Sequence, residues 1–65
     1  MEGTQMTEEK LDDYTAVMIA EGVEDADYDR TVEAWQYLHD TGLAYRLQGW
    51  FGRTAQSLID QGIIG

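Results

Sequence analysis

Residues 28–61 read YDRTVEAWQYLHDTGLAYRLQGWFGRTAQSLIDQ, and their apolar spacing decides the fold class. Tyr28, Val32, Trp35 and Leu38 recur at steps of four, three and three, the spacing of one helix face. Leu43, Leu47, Trp50, Thr54 and Leu58 recur at four, three, four and four, with Ala44, Phe51, Ala55 and Ile59 beside them. The first run predicts a helix over about 28–40, ended by Gly42 and capped at its start by Asp25 or Asp27. The second predicts one helix over about 43–61, capped by Gly62. Gly49 and Gly52 each cost about 1 kcal/mol against alanine in a helix interior. They leave a second reading open, in which Gly49-Trp50-Phe51-Gly52 splits this segment into a short helix and a longer one.

Upstream, Thr7 reads as an N-cap, with Glu8 and Glu9 in a first turn whose dipole favours acids. Leu11, Tyr14, Val17 and Met18 then follow at helical spacing, and Gly22 supplies a left-handed stop. This predicts a helix over about 8–21 behind a frayed stretch, 1–6. β-Branched residues are few and hairpin signals absent, so strands are not expected. The expected architecture is all-α: a single domain over 7–65, a small bundle of three helices, or four if the last one breaks. Trp35, Trp50, Phe51, Tyr14 and Tyr28 are the expected aromatic core, while Tyr37 and Tyr45 fall off the apolar stripes. Ile63 and Ile64 either fold back on that core or meet a partner.

A domain of 65 residues has little surface to bury, and it has no cysteine to staple it. The aromatic and leucine content exceeds what so short a bundle easily hides, which predicts self-association as a twofold homodimer. No apolar run approaches a membrane span, and the start of the sequence does not read as a signal peptide. The chain is expected to work in a cytosol, without a membrane.

The net charge of −9 is placed unevenly. Residues 1–29 carry ten acids and one base, whereas 30–65 carry three of each. Such a surface repels phosphate, so direct nucleic-acid binding is not expected, and a basic protein surface is the natural counterpart. Glu8, Glu9, Asp12, Asp13, Asp25, Asp27 and Asp29 are the candidate steering residues. The run Asp25-Ala26-Asp27-Tyr28-Asp29 opens like a calcium loop, but the sixth position is Arg30 and the twelfth Gln36. The turn glycine and the bidentate glutamate are thus both missing, and an acidic cap is the better reading. No metal or cofactor is expected. The carboxylate pairs lie on an exposed helix, and His39 and Ser57 stand in no catalytic pattern, so no enzyme is expected. His39 reads as a partner of the last carbonyls of its helix. Arg46 and Arg53, seven residues apart, would share a face of a continuous third helix. They would serve to dock on the acidic first helix, within the chain or across a dimer, to contact a partner protein, or to touch phosphate.

The stretches Asp40-Thr41-Gly42-Leu43-Ala44, Leu47-Gln48-Gly49, Gly52-Arg53-Thr54-Ala55 and Leu58-Ile59 with Gly62 form a further pattern, preceded by the acidic turn from Glu21 to Asp27. It resembles a group of small proteins encoded by tailed bacteriophages and prophages, for which no reaction is known. The resemblance implies a phage origin and action inside a bacterial host. Within this pattern Gln48 and Arg53 are the polar positions that neither caps nor core explain. With Tyr45 and Arg46, they are the candidate partner-binding residues of the second half. The resulting expectation is an acidic accessory protein that binds, and inhibits or redirects, a host protein. DNA mimicry is its sharper form. The alternative is a structural or assembly component of the phage particle.

Overall fold

Aspartates mark where the first two helices begin. The computed structural model describes residues 11–65. Within them lie α1 (Asp13–Ala20), α2 (Tyr28–Asp40) and α3 (Gly49–Asp60). A 3-10 turn, Leu43–Tyr45, stands between α2 and α3, and there is no strand among the described residues.

Asp12 is extended (φ −129°, ψ 178°), and its carboxylate accepts the Thr15 backbone N–H at 2.8 Å. Short acidic side chains favour this place because it satisfies an N–H that the helix leaves orphaned. The first helix therefore opens at Asp13, not at residue 8 as a cap at Thr7 suggested, and Leu11 and Asp12 stand outside it. The expected frayed stretch 1–6, the Thr7 cap and the first-turn acids Glu8 and Glu9 lie outside the described residues. Asp27 repeats the device for α2. It accepts the Arg30 N–H at 2.8 Å, while its carbonyl accepts the Thr31 hydroxyl. The bounds of α2 agree with the sequence expectation.

Left-handed glycines follow all three helices, at Gly22, Gly42 and Gly62. After α1 and α3 the chain closes with paired N–H groups. Gly22 and Val23 bond the carbonyls of Ile19 and Met18, and Gly62 and Ile63 bond those of Ile59 and Leu58. These bonds satisfy carbonyls at the helix ends and turn the chain back.

The third segment is broken, but not at its glycines. The chain leaves Gly42 into the 3-10 turn, passes Arg46 and Leu47, and is extended again at Gln48 (φ −59°, ψ 154°) before α3 starts. Gly49 and Gly52 both lie within α3. A rod from 43 to 61 would run straight for about 28 Å. The break instead buries Ala44 in the turn and returns Trp50 and Phe51 to α2. The ring centroids of Trp35 and Phe51 are 6.0 Å apart, and Trp35 meets Trp50 edge-on at 6.3 Å. Trp50 stacks on Phe51 at 4.0 Å.

The core gathers Ala16 and Ile19 from α1, Ala34, Trp35 and Leu38 from α2, Phe51 and Ala55 from α3, with Ala44 and Ile64. Two expected core aromatics are absent from it: Tyr14 is 70% exposed and Tyr28 69%. The buried line of α1 runs through Ala16 and Ile19, and at about 100° per residue Tyr14 falls on another side of the helix. Tyr28 is the first residue of α2, ahead of its buried stretch. Ile64 folds back into the core, which resolves the two readings of the C-terminal isoleucines for that residue. Burying such a side chain contributes about 1.5–3 kcal/mol.

Candidate functional site

The acidic candidates divide into residues that build the fold and residues that only face solvent. Asp12 and Asp27 are caps. The hydrogen bonds that Asp12 accepts from Thr15, the backbone N–H foremost, hold its carboxyl below the usual carboxylate range. Asp13 accepts the Tyr37 hydroxyl at 2.7 Å, tying the start of α1 to the later part of α2. That bond raises the Tyr37 phenol above its ordinary value, because only the protonated phenol can donate to Asp13, and the repulsion between the two charges adds to it. Asp25 and Asp29 are exposed, as are Glu21 and Glu24, and among the described residues their side chains form no hydrogen bond or ion pair. The one ion pair between described residues joins Arg30 to Glu33 at 3.3 Å, one turn apart on α2. Glu8 and Glu9 lie outside the described residues.

Tyr14, Val23 and Tyr28 stand exposed along the same part of the chain as these acids. The sequence reading assigned both tyrosines to the core and so missed them as surface groups. Their acidic neighbours, Asp13 beside Tyr14, and Asp27 and Asp29 around Tyr28, were the signal available in the sequence.

A second surface lies between the 3-10 turn and α3. It is an open groove of about 610 Å³, walled by Tyr45, Leu47 and Gln48 and floored by one face of α3. Three of the four candidates from the second half, Tyr45, Gln48 and Arg53, meet there. Arg46 does not line it. Arg46 ends the 3-10 turn and Arg53 lies within α3, so the two do not share a helix face as the unbroken rod required. Neither pairs with a described carboxylate, so docking on the acidic face of the same chain is not seen among the described residues.

Tyr45 is fixed in the groove wall by its hydroxyl. His39 Nδ1 lies 2.8 Å from it, with the rings edge-on, and Gln56 Nε2 donates to it at 3.4 Å. His39 thus reaches a side chain of the following turn instead of the carbonyls of its own helix. Gln48 precedes α3 without capping it through its side chain, which leaves its amide free to face the groove. Gln56 and Asp60 also line the groove and were not singled out from sequence. Their spacing from Arg53, three and seven residues, puts all three on one helix face and was the legible signal.

Among the described residues no group of three or more histidines and acids converges as metal ligands would. No described helix is long and apolar enough to cross a membrane. No curated protein and no solved structure matches the chain. The model of one protein family does match, over residues 8–65, which include α1, α2, the 3-10 turn and α3, and the chain belongs to that family, described as a domain of unknown function (DUF7417).

Proposed function

We propose that this chain is a phage-encoded accessory protein that binds a basic surface of a host protein in the host cytoplasm and inhibits or redirects it. The observation that carries this reading is the set of exposed carboxylates between Asp12 and Asp29, none paired with a described arginine. The nearest arginine in sequence, Arg30, turns instead to Glu33. Unneutralised charge of one sign steers encounter with the opposite sign and raises association rates. Tyr14 and Tyr28 supply amphipathic contact area beside that charge, and tyrosine is enriched at interface hot spots. The sharper form of the proposal is that these carboxylates imitate phosphates in a nucleic-acid site.

The experiment reverses charge where the fold does not use it. Asp12, Asp13 and Asp27 are unsuitable, because they cap helices or hold Tyr37. Glu21, Glu24, Asp25 and Asp29 are suitable, and each is replaced by lysine in a combined variant. Affinity capture from bacterial lysate compares the variant with the wild type. The expected result is one protein held by the wild type, released by salt, displaced by duplex DNA in the mimicry case, and absent with the variant. Equal capture by both forms, or no specific capture by either, overturns the proposal.

A further inference from the structure

We propose that the outward face of α3 is the twofold interface of a homodimer, in which the α3 helices of two copies lie antiparallel. This reading is independent of the acidic surface, and either can fail alone.

Glycine in the floor of the groove is the first observation. Gly52 lies inside a helix, where glycine costs roughly 0.5–1 kcal/mol against alanine. Its backbone is not left-handed. A Cβ there would meet Tyr45 Cδ1 at 3.5 Å and the Ala44 carbonyl at 3.6 Å, both ordinary contacts. At Gly49 a Cβ would approach only the movable guanidinium of Arg53, at 3.1 Å and 3.9 Å. The fold would accept alanine at Gly52 and gain from it. Without side chains at Gly49 and Gly52 the floor of the groove stays low, with Gly52 turned to the chain's own 3-10 turn and Gly49 beneath Arg53, so that Arg53 and Asp60 stand out from it.

Charge order is the second observation. Arg53 and Asp60 are the charged residues of α3, and both line the groove. They are seven residues, about 10.5 Å, apart along the axis, with Gln56 and Ser57 midway. An antiparallel pair with its axis between Gln56 and Ser57 sets Arg53 against the partner's Asp60 and Gln56 against the partner's Ser57. A twofold makes both pairs occur twice. A parallel pair in register would oppose like charges. The face is therefore self-complementary in one orientation.

Two further features agree. The antiparallel arrangement lays the start of α3, which has no side-chain cap and no acid in its first turn, beside a helix end of opposite polarity. Residues 30–65 carry no net charge, so joining two copies through α3 avoids using the strongly acidic segment as the contact. Tyr45, 45% exposed in the groove wall, and half-buried Leu47 supply the apolar edge.

Sedimentation equilibrium tests the pairing, with far-UV circular dichroism as the check on folding. The wild type should approach twice the 7.4 kDa of one chain at submillimolar concentration. Arg53→Glu and Asp60→Arg should each weaken association by roughly tenfold or more, because like charges then face each other. An equimolar mixture of the two variants should associate again, since every cross-pair is once more between opposite charges. Arg46→Glu makes the same change of net charge off this face and should leave association unaltered. A wild type that stays monomeric overturns the proposal. So does a dimer indifferent to Arg53→Glu and Asp60→Arg, or a mixture of folded variants that fails to associate. The first of these outcomes leaves an acidic peptide of another protein as the occupant of the groove.

Discussion

Gln36 and Gly65, 29 residues apart, bind each other in both directions. The Gln36 Nε2 group donates to the Gly65 carbonyl at 2.9 Å, and the Gly65 N–H donates to Gln36 Oε1 at 3.1 Å. The second Nε2 hydrogen serves Asp40 Oδ1 at 2.9 Å, so each N–H of this amide has an acceptor and its oxygen has a donor. The clamp stands beside Ile64, which is 5% exposed, and the two together fasten the segment after α3 to α2.

Loss of either part should be felt in stability. Gln36→Ala should cost about 1 kcal/mol, the net value of exposed hydrogen bonds. Ile64→Ala should cost about 2–4 kcal/mol through the lost burial and the gap left behind. Because both hold one segment, the double variant should lose less than the sum. Urea denaturation of the four proteins measures this coupling, and strict additivity would show that the tail is not fastened as a unit.

Two glycines should answer alanine with opposite signs. Gly42 has φ +80°, a region that side chains resist, so Gly42→Ala should destabilise by about 1 kcal/mol. Gly52→Ala should stabilise the folded chain by roughly 0.5–1 kcal/mol, since the helix gains propensity and the new methyl makes only ordinary contacts. Thermal melts would register each as a shift of several degrees, about 4–8 °C per kcal/mol for a domain of this size.

The Asp12 cap should leave a mark on acid stability. Its carboxyl titrates lower in the folded chain than in the unfolded one, because Thr15 donates to the charged form. The resulting stability is fully present above the unfolded value, near about pH 4, and is lost as pH falls through the folded value. Asp12→Asn retains a capping oxygen but removes the titration. Its melting temperature relative to wild type should therefore rise as the pH is lowered through that window, and a constant difference would remove the cap from the acid response.

Tyr37 should titrate above the ordinary phenol value. Its phenol is raised by the hydrogen bond to Asp13, so the contribution of this bond is present below the unfolded value and disappears as pH climbs through the folded one. In absorbance, the step assigned to Tyr37 should lie above the ordinary phenol value. Asp13→Asn should lower that step toward the ordinary value, with Tyr37→Phe identifying it by its loss.

Local chemistry determined where α2 begins and where each helix stops. Asp27 and the glycines at 22, 42 and 62 act on their immediate neighbours, so a reader of the sequence meets cause and effect together. Apolar spacing likewise placed Trp35, Leu38, Phe51 and Ala55 in the core. Spacing could not tell whether 43–61 is one rod, because Leu43 to Leu58 is periodic in helix steps throughout. The break at Arg46–Gln48 follows from returning Trp50 and Phe51 to Trp35, a contact between distant residues. The same break separated Arg46 from Arg53 and brought Tyr45, Gln48 and Arg53 around one groove. Tyr14 and Tyr28 were misplaced for a related reason. A stripe records which residues share a helix face, and only the packed partner decides which face is buried and how far along the helix the cover reaches.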